Sequence, residues 1–125
     1  MKKDGGDGLK DIATEKSRTL AIKVISLYKA LCFQKKEFVM SKQILRSGTG
    51  IGANLAEAEY AISKRDYIHK KSISLKECSE TLYWLGLLHD TSYIERETFE
   101  DLQTDCTEIL KLLQSSIKTM KTNNK

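Results

Sequence analysis

The segment Gln43 to Ala58, QILRSGTGIGANLAEA, holds three glycines at alternate positions, yet its apolar residues keep helical spacing. Ile44, Gly48, Ile51, Leu55, Ala58 and Ile62 recur in steps of four and three, which is the seam of a packed helix and not the alternation of a strand. Each helical glycine costs roughly 1 kcal/mol against alanine. Tertiary packing must therefore override propensity, and close approach by a neighbouring helix is the expected return.

The rest of the chain agrees with a helical fold. Its 125 residues suit one domain with a real core. Proline is absent, so nothing forces a helix to stop or kink. Met1 to Gly8 reads as a polar tail, and residues 9–121 as a four-helix bundle with a short tail at 122–125. The first helix is expected from Leu9 to Gln34, with Ala13, Leu20, Val24, Leu27 and Leu31 as its seam, widened by Ile25, Tyr28 and Cys32. Lys35, Lys36 and Glu37 mark a loop, and Ser41 is the expected N-cap of a second helix that runs to about Tyr60. Ser63 with Asp66 forms a capping box for the third, whose seam reads Ile68, Ser72, Leu75, Ser79, Leu82 and Gly86. Ser92 with Glu95 offers a cap for the fourth, seamed by Phe99, Leu102, Cys106, Ile109, Leu113 and Met120. Short connections favour an all-α, antiparallel up-down-up-down bundle.

Several chemistries can be set aside. Gly48 to Ala53 superficially resembles a phosphate-binding glycine loop, but such a loop follows a strand within a βαβ unit, and Met40 to Ser47 is helical and polar. His69 and His89 lie about 30 Å apart on one helix at 1.5 Å per residue, too far to share a metal. Cys32, Cys78 and Cys106 each fall in a helical pattern, which suits reduced thiols in a cytoplasmic protein. No stretch is long and apolar enough to span a bilayer, so a membrane role is not expected. No catalytic constellation is visible, and the expectation is a non-enzyme without cofactor or metal.

Polar residues on the central helices stand out instead. Asn54 with Glu57, and Glu77 with Glu80, are each three apart and share a helical face. Arg46, Gly50, Ala53 and Glu57 form one stripe. Carboxylate-bridged metal bundles use Glu-x-x-His pairs, and neither pair here supplies the histidine. Arg46, Asn54, Glu57, Glu77 and Glu80 therefore read as a buried or interfacial structural network that serves pairing and register. The net charge is +4. Lys64, Arg65, Lys70 and Lys71 cluster at the start of the third helix, either as a solvated face or as a footprint for phosphates.

QILRSGTGIGANLAEA at 43–58 and DYIHKKSISLKECSETLYWLGLL at 66–88 resemble the bacterial four-helix-bundle proteins encoded in intervening sequences of large-subunit ribosomal RNA genes. The pattern rests on Arg46, Ile51, Asn54, Ala56 and Glu57, then Lys76, Glu77, Glu80, Thr81 and Trp84. Gly50 stands where many members carry serine, and Ala58 where many carry glycine. That family is similar in fold to the accessory protein of diversity-generating retroelements, a ring of five bundles that binds nucleic acid and a reverse transcriptase. The resemblance implies a homopentamer, which would carry +20, five times the subunit's +4. Repetition would let weak phosphate contacts add. The resulting expectation is an oligomeric scaffold that binds RNA or DNA through Lys64, Arg65, Lys70 and Lys71, accessory to a nucleic-acid enzyme. The alternative is a protein-interaction adaptor with no nucleic-acid affinity.

Overall fold

The computed structural model describes residues 7–123, with side chains from Ile12 onward. Four helices follow in order: α1 Asp7–Phe33, α2 Met40–Ala58, α3 Lys64–Asp90 and α4 Arg96–Thr122. Among the described residues there is no strand. Most of the expected N-terminal tail lies outside the described residues, but Asp7 and Gly8 already belong to α1, and Thr122 closes α4.

The helices form a square in which α1 packs on α2, α2 on α3, α3 on α4 and α4 on α1. Lys16 bonds Glu108 while Lys23 bonds Asp105, Ser47 bonds Thr81 while Ile51 bonds Ser74, and Lys71 bonds Ser116 while the Cys78 carbonyl accepts from Cys106. The core holds the α1 seam together with Ile44, Ile51, Leu55, Leu85, Leu88, Leu102, Ile109 and Leu113. Each fully buried leucine or isoleucine contributes about 1.5–3 kcal/mol.

The glycines of α2 act as the close-approach residues the sequence suggests. A β-carbon at Gly48 would lie 2.9 Å from both Cγ atoms of Val24, and one at Gly52 would lie 3.0 Å from Ser17 Oγ. Gly48 and Gly52 thus let α1 close in. Gly50 faces the other way, toward Glu77 of α3.

Five expectations need correction. Ile25, expected to widen the α1 seam, is 39% exposed. Ile62 lies beyond α2 and is 93% exposed. The α3 seam is Lys71, Ser74, Cys78, Thr81, Leu85 and Leu88. Ile68, Ser72, Leu75, Ser79, Leu82 and Gly86 instead line its partly exposed edge, and a β-carbon at Gly86 would meet nothing within 4 Å. Ser41 is buried within α2, and Glu37 caps that helix instead, its carboxylate accepting from the backbone N–H groups of Val39, Met40 and Ser41. Ser92 does not cap α4. It sits in a left-handed conformation (φ 67°), whereas an N-cap needs the extended geometry found at Glu95. The Ser63 cap forms as expected, with Ser63 Oγ accepting from Asp66 N–H at 3.0 Å.

Candidate nucleic-acid interface

The α2–α3 connection carries the basic cluster, and its backbone is pinned along its length. Tyr60 N–H donates to the Glu57 carbonyl and Ala61 N–H to that of Ala58. Asp66 closes the far side, its Oδ2 accepting from Ile62 N–H at 3.2 Å. Lys64 and Arg65 then extend into solvent from the first turn of α3.

The other two basic residues behave differently. Lys70 donates to Glu57 Oε1 at 2.7 Å, a bond that raises the lysine's pKa and offsets its charge locally. Lys71 is only 2% exposed. Its ammonium bonds Ser116 Oγ and lies 5.2 Å from the centre of the Tyr67 ring. Lys71 is therefore a core residue and cannot reach a phosphate. It falls on the buried seam of α3, seven residues before Cys78, and an amine there must take protein partners in place of water.

The Lys71–Ser116 bond sets the first turns of α3 beside the last turns of α4. It brings two further cations to this end of the bundle, Lys118 and Lys121, both exposed. They line a groove of about 370 Å³ with Leu75, Gln114, Ile117 and Thr122. Sequence reasoning missed them because they are far from Lys64 in the chain. The antiparallel expectation combined with the KTMK spacing at 118–121 could have found them. Lys35 and Lys36 lie on the α1–α2 loop.

The expected five-residue network divides. Arg46 bonds both Glu77 and Glu80, and Trp84 Nε1 donates to Glu80 Oε2 at 3.0 Å. The Arg46 hydrogen bond, then that of Trp84, holds the Glu80 carboxyl below its usual range. Asn54 donates to the Gly50 carbonyl of its own helix, and Glu57 pairs with Lys70. Of the two expected placements the edge is the one seen, with the Arg46 side chain 53% and that of Glu57 58% exposed. An exposed guanidinium and carboxylate at a helix–helix edge stabilise by much less than a buried pair would.

Among the described residues no group of histidine, cysteine and carboxylate side chains is arranged to hold a metal. His69 is exposed, and His89 stacks on Phe99 at a ring separation of 4.4 Å. Cys78 and Cys106 are free thiols with no exposure, and the adjacent Cys106 thiol followed by burial pushes the Cys78 thiol upward, which makes it inert. No helix of the described residues is long and apolar enough to cross a membrane.

No curated protein gives a significant match. A solved structure described as a protein of unknown function from the S23 ribosomal protein family of Bacteroides thetaiotaomicron is 55% identical. It superposes with a TM-score of 0.86, over 88% of this chain and 98% of that one. The family profile described as 23S rRNA-intervening sequence protein matches residues 10–115, a span that reaches from the first turns of α1 almost to the end of α4. By that match the chain belongs to the 23S rRNA-intervening sequence protein family.

Proposed function

We propose that the protein is a non-enzymatic helical scaffold that self-associates and binds nucleic acid through the end of the bundle where α3 begins and α4 finishes. The observation that carries this reading is the gathering of Lys64, Arg65, Lys118 and Lys121 at that end, all exposed. Of the carboxylates near them, Glu57 pairs with Lys70, and Asp66 accepts from the Ile62 N–H while keeping its charge. The four cations form no ion pair among the described residues, which leaves them able to act on an external polyanion. With Lys71 removed from the interface, Lys118 and Lys121 take its place in the proposal.

The opposed pairings across neighbouring helices support an antiparallel up-down-up-down reading. Self-association into a ring of five extends the proposal and would repeat the basic end around the assembly. Phe33, Phe38 and Val39, exposed at 75%, 52% and 72%, leave apolar surface for contacts between copies. Light scattering should give five times the 14.2 kDa chain mass; a monomer mass at micromolar concentration would remove the ring.

A mobility-shift series across salt tests the binding. Counterion release predicts that log affinity falls with log salt by about 0.9 per phosphate contact on duplex DNA. Replacing Lys64, Arg65, Lys118 and Lys121 by alanine takes the subunit from +4 to neutral and should abolish retention. If the wild type shifts neither RNA nor DNA at low salt, the protein-interaction adaptor becomes the better reading.

A further inference from the structure

The turn between α2 and α3 combines a fixed backbone with large side chains left in water. Tyr60 is 87% and Ile62 93% exposed, far more than side chains of their size need be. They are not loose. Tyr60 N–H and Ile62 N–H are held at 3.0 and 3.2 Å by Glu57 and Asp66, and the Ser63 cap locks the entry to α3. The chain thus holds an aromatic ring and an aliphatic side chain outward, immediately ahead of the free cations Lys64 and Arg65.

That combination has a specific chemical complement. An aromatic ring beside cations stacks on an unpaired base while the cations hold the phosphates on either side of it. A duplex offers the cations the same phosphates but keeps its base faces stacked inside. A folded protein surface would be matched by a broader apolar patch than one ring and one aliphatic side chain. Resting on the nucleic-acid reading of this end, we infer that the α2–α3 turn is a binding site for single-stranded nucleic acid. Tyr60 stacks on an exposed base, Ile62 packs against its edge, and Lys64 and Arg65 hold the flanking phosphates.

Fluorescence anisotropy with a labelled single strand and a duplex of the same length, at one low salt concentration, tests the inference on the full chain. The wild type should favour the single strand. Tyr60→Ala should weaken single-strand binding roughly tenfold while leaving duplex binding within about twofold, and Tyr60→Phe should restore the preference. Because Tyr60 is almost fully exposed, circular dichroism should show Tyr60→Ala folded with an unchanged melting temperature. Equal losses on both ligands, or a single-strand preference that survives Tyr60→Ala, would overturn this site and leave the basic-end reading standing. Binding of neither ligand by the wild type would overturn both.

Discussion

Gly50 and Glu77 are matched across the α2–α3 contact: a β-carbon at Gly50 would stand 3.1 Å from Glu77 Oε2. The neighbour is the far end of a flexible side chain, which can give way by the few tenths of an ångström required. At Gly48 the neighbour is Val24, which is fully buried and whose branched side chain is stiff about χ1. Gly50→Ala should therefore leave stability within about 1 kcal/mol, since the gain in helix propensity offsets the small displacement. Gly48→Ala should destabilise by about 1–3 kcal/mol through overpacking. Chemical denaturation of both variants checks this, and equal effects would contradict the two-sided role of the glycines.

Glu37 should matter more than a loop glutamate usually does. Its carboxylate takes three backbone N–H groups at the start of α2 and is 8% exposed. Glu37→Ala would strand those donors and should cost about 1–3 kcal/mol. Hydrogen exchange should show the loss concentrated in the first turn of α2. Uniform loss of protection across all four helices would count against a local cap.

Lys71 and Lys64 should separate stability from binding. Lys71→Ala removes a buried stem and should cost about 2–5 kcal/mol, as for other long side chains cut to alanine in a core. The salt dependence of binding by the folded variant should not change. Lys64→Ala should leave stability within about 0.5 kcal/mol and reduce the salt slope by about 0.7–0.9, one phosphate contact. Thermal melts and a salt titration give both readings. A reduced slope for Lys71→Ala would return that residue to the interface.

Glu80 gives the α2–α3 edge a pH dependence of defined sign. Its folded pKa is lowered, first by the Arg46 hydrogen bond and then by Trp84. The stabilisation is complete above the ordinary glutamate value of about 4.3 and is lost as pH falls through the lower folded value. With its side chain 34% exposed the effect is screened and modest. The melting temperature should stay level from neutral pH to about 5 as far as this group is concerned. Below that it should fall more steeply in the wild type than in Glu80→Gln. Trp84 is the single tryptophan, so its emission should shift over the same acid range. Parallel melting curves for wild type and Glu80→Gln would show that the bond to Arg46 carries no linkage.

The sequence by itself determined the four helices, the seams of α1 and α2 apart from Ile25 and Ile62, and the Ser63 cap. Each depends on spacing within one helix or on residues three or four apart. The close approach at Gly48 was legible for the same reason, because a glycine inside an apolar seam has few other uses; Gly52 lies off that seam, and only the packing of Ser17 against it shows its role. Tertiary structure decided which face of α3 is buried. Two stripes recur with a seven-residue period, and hydrophobicity alone favours the one with Ile68, Leu75 and Leu82. The other is buried because Ser74 bonds the Ile51 carbonyl, Thr81 bonds Ser47 and Lys71 bonds Ser116. Those partners stand on α2 and α4, beyond the reach of a local pattern. The same limit explains the basic cluster. Lys70 and Lys71 look free beside Lys64 in the chain, but Glu57 and Ser116 claim them, while Lys118 and Lys121 stand on α4, whose Ser116 bonds Lys71. Exposure and pairing are properties of neighbours in space, which these residues acquire only in the assembled bundle.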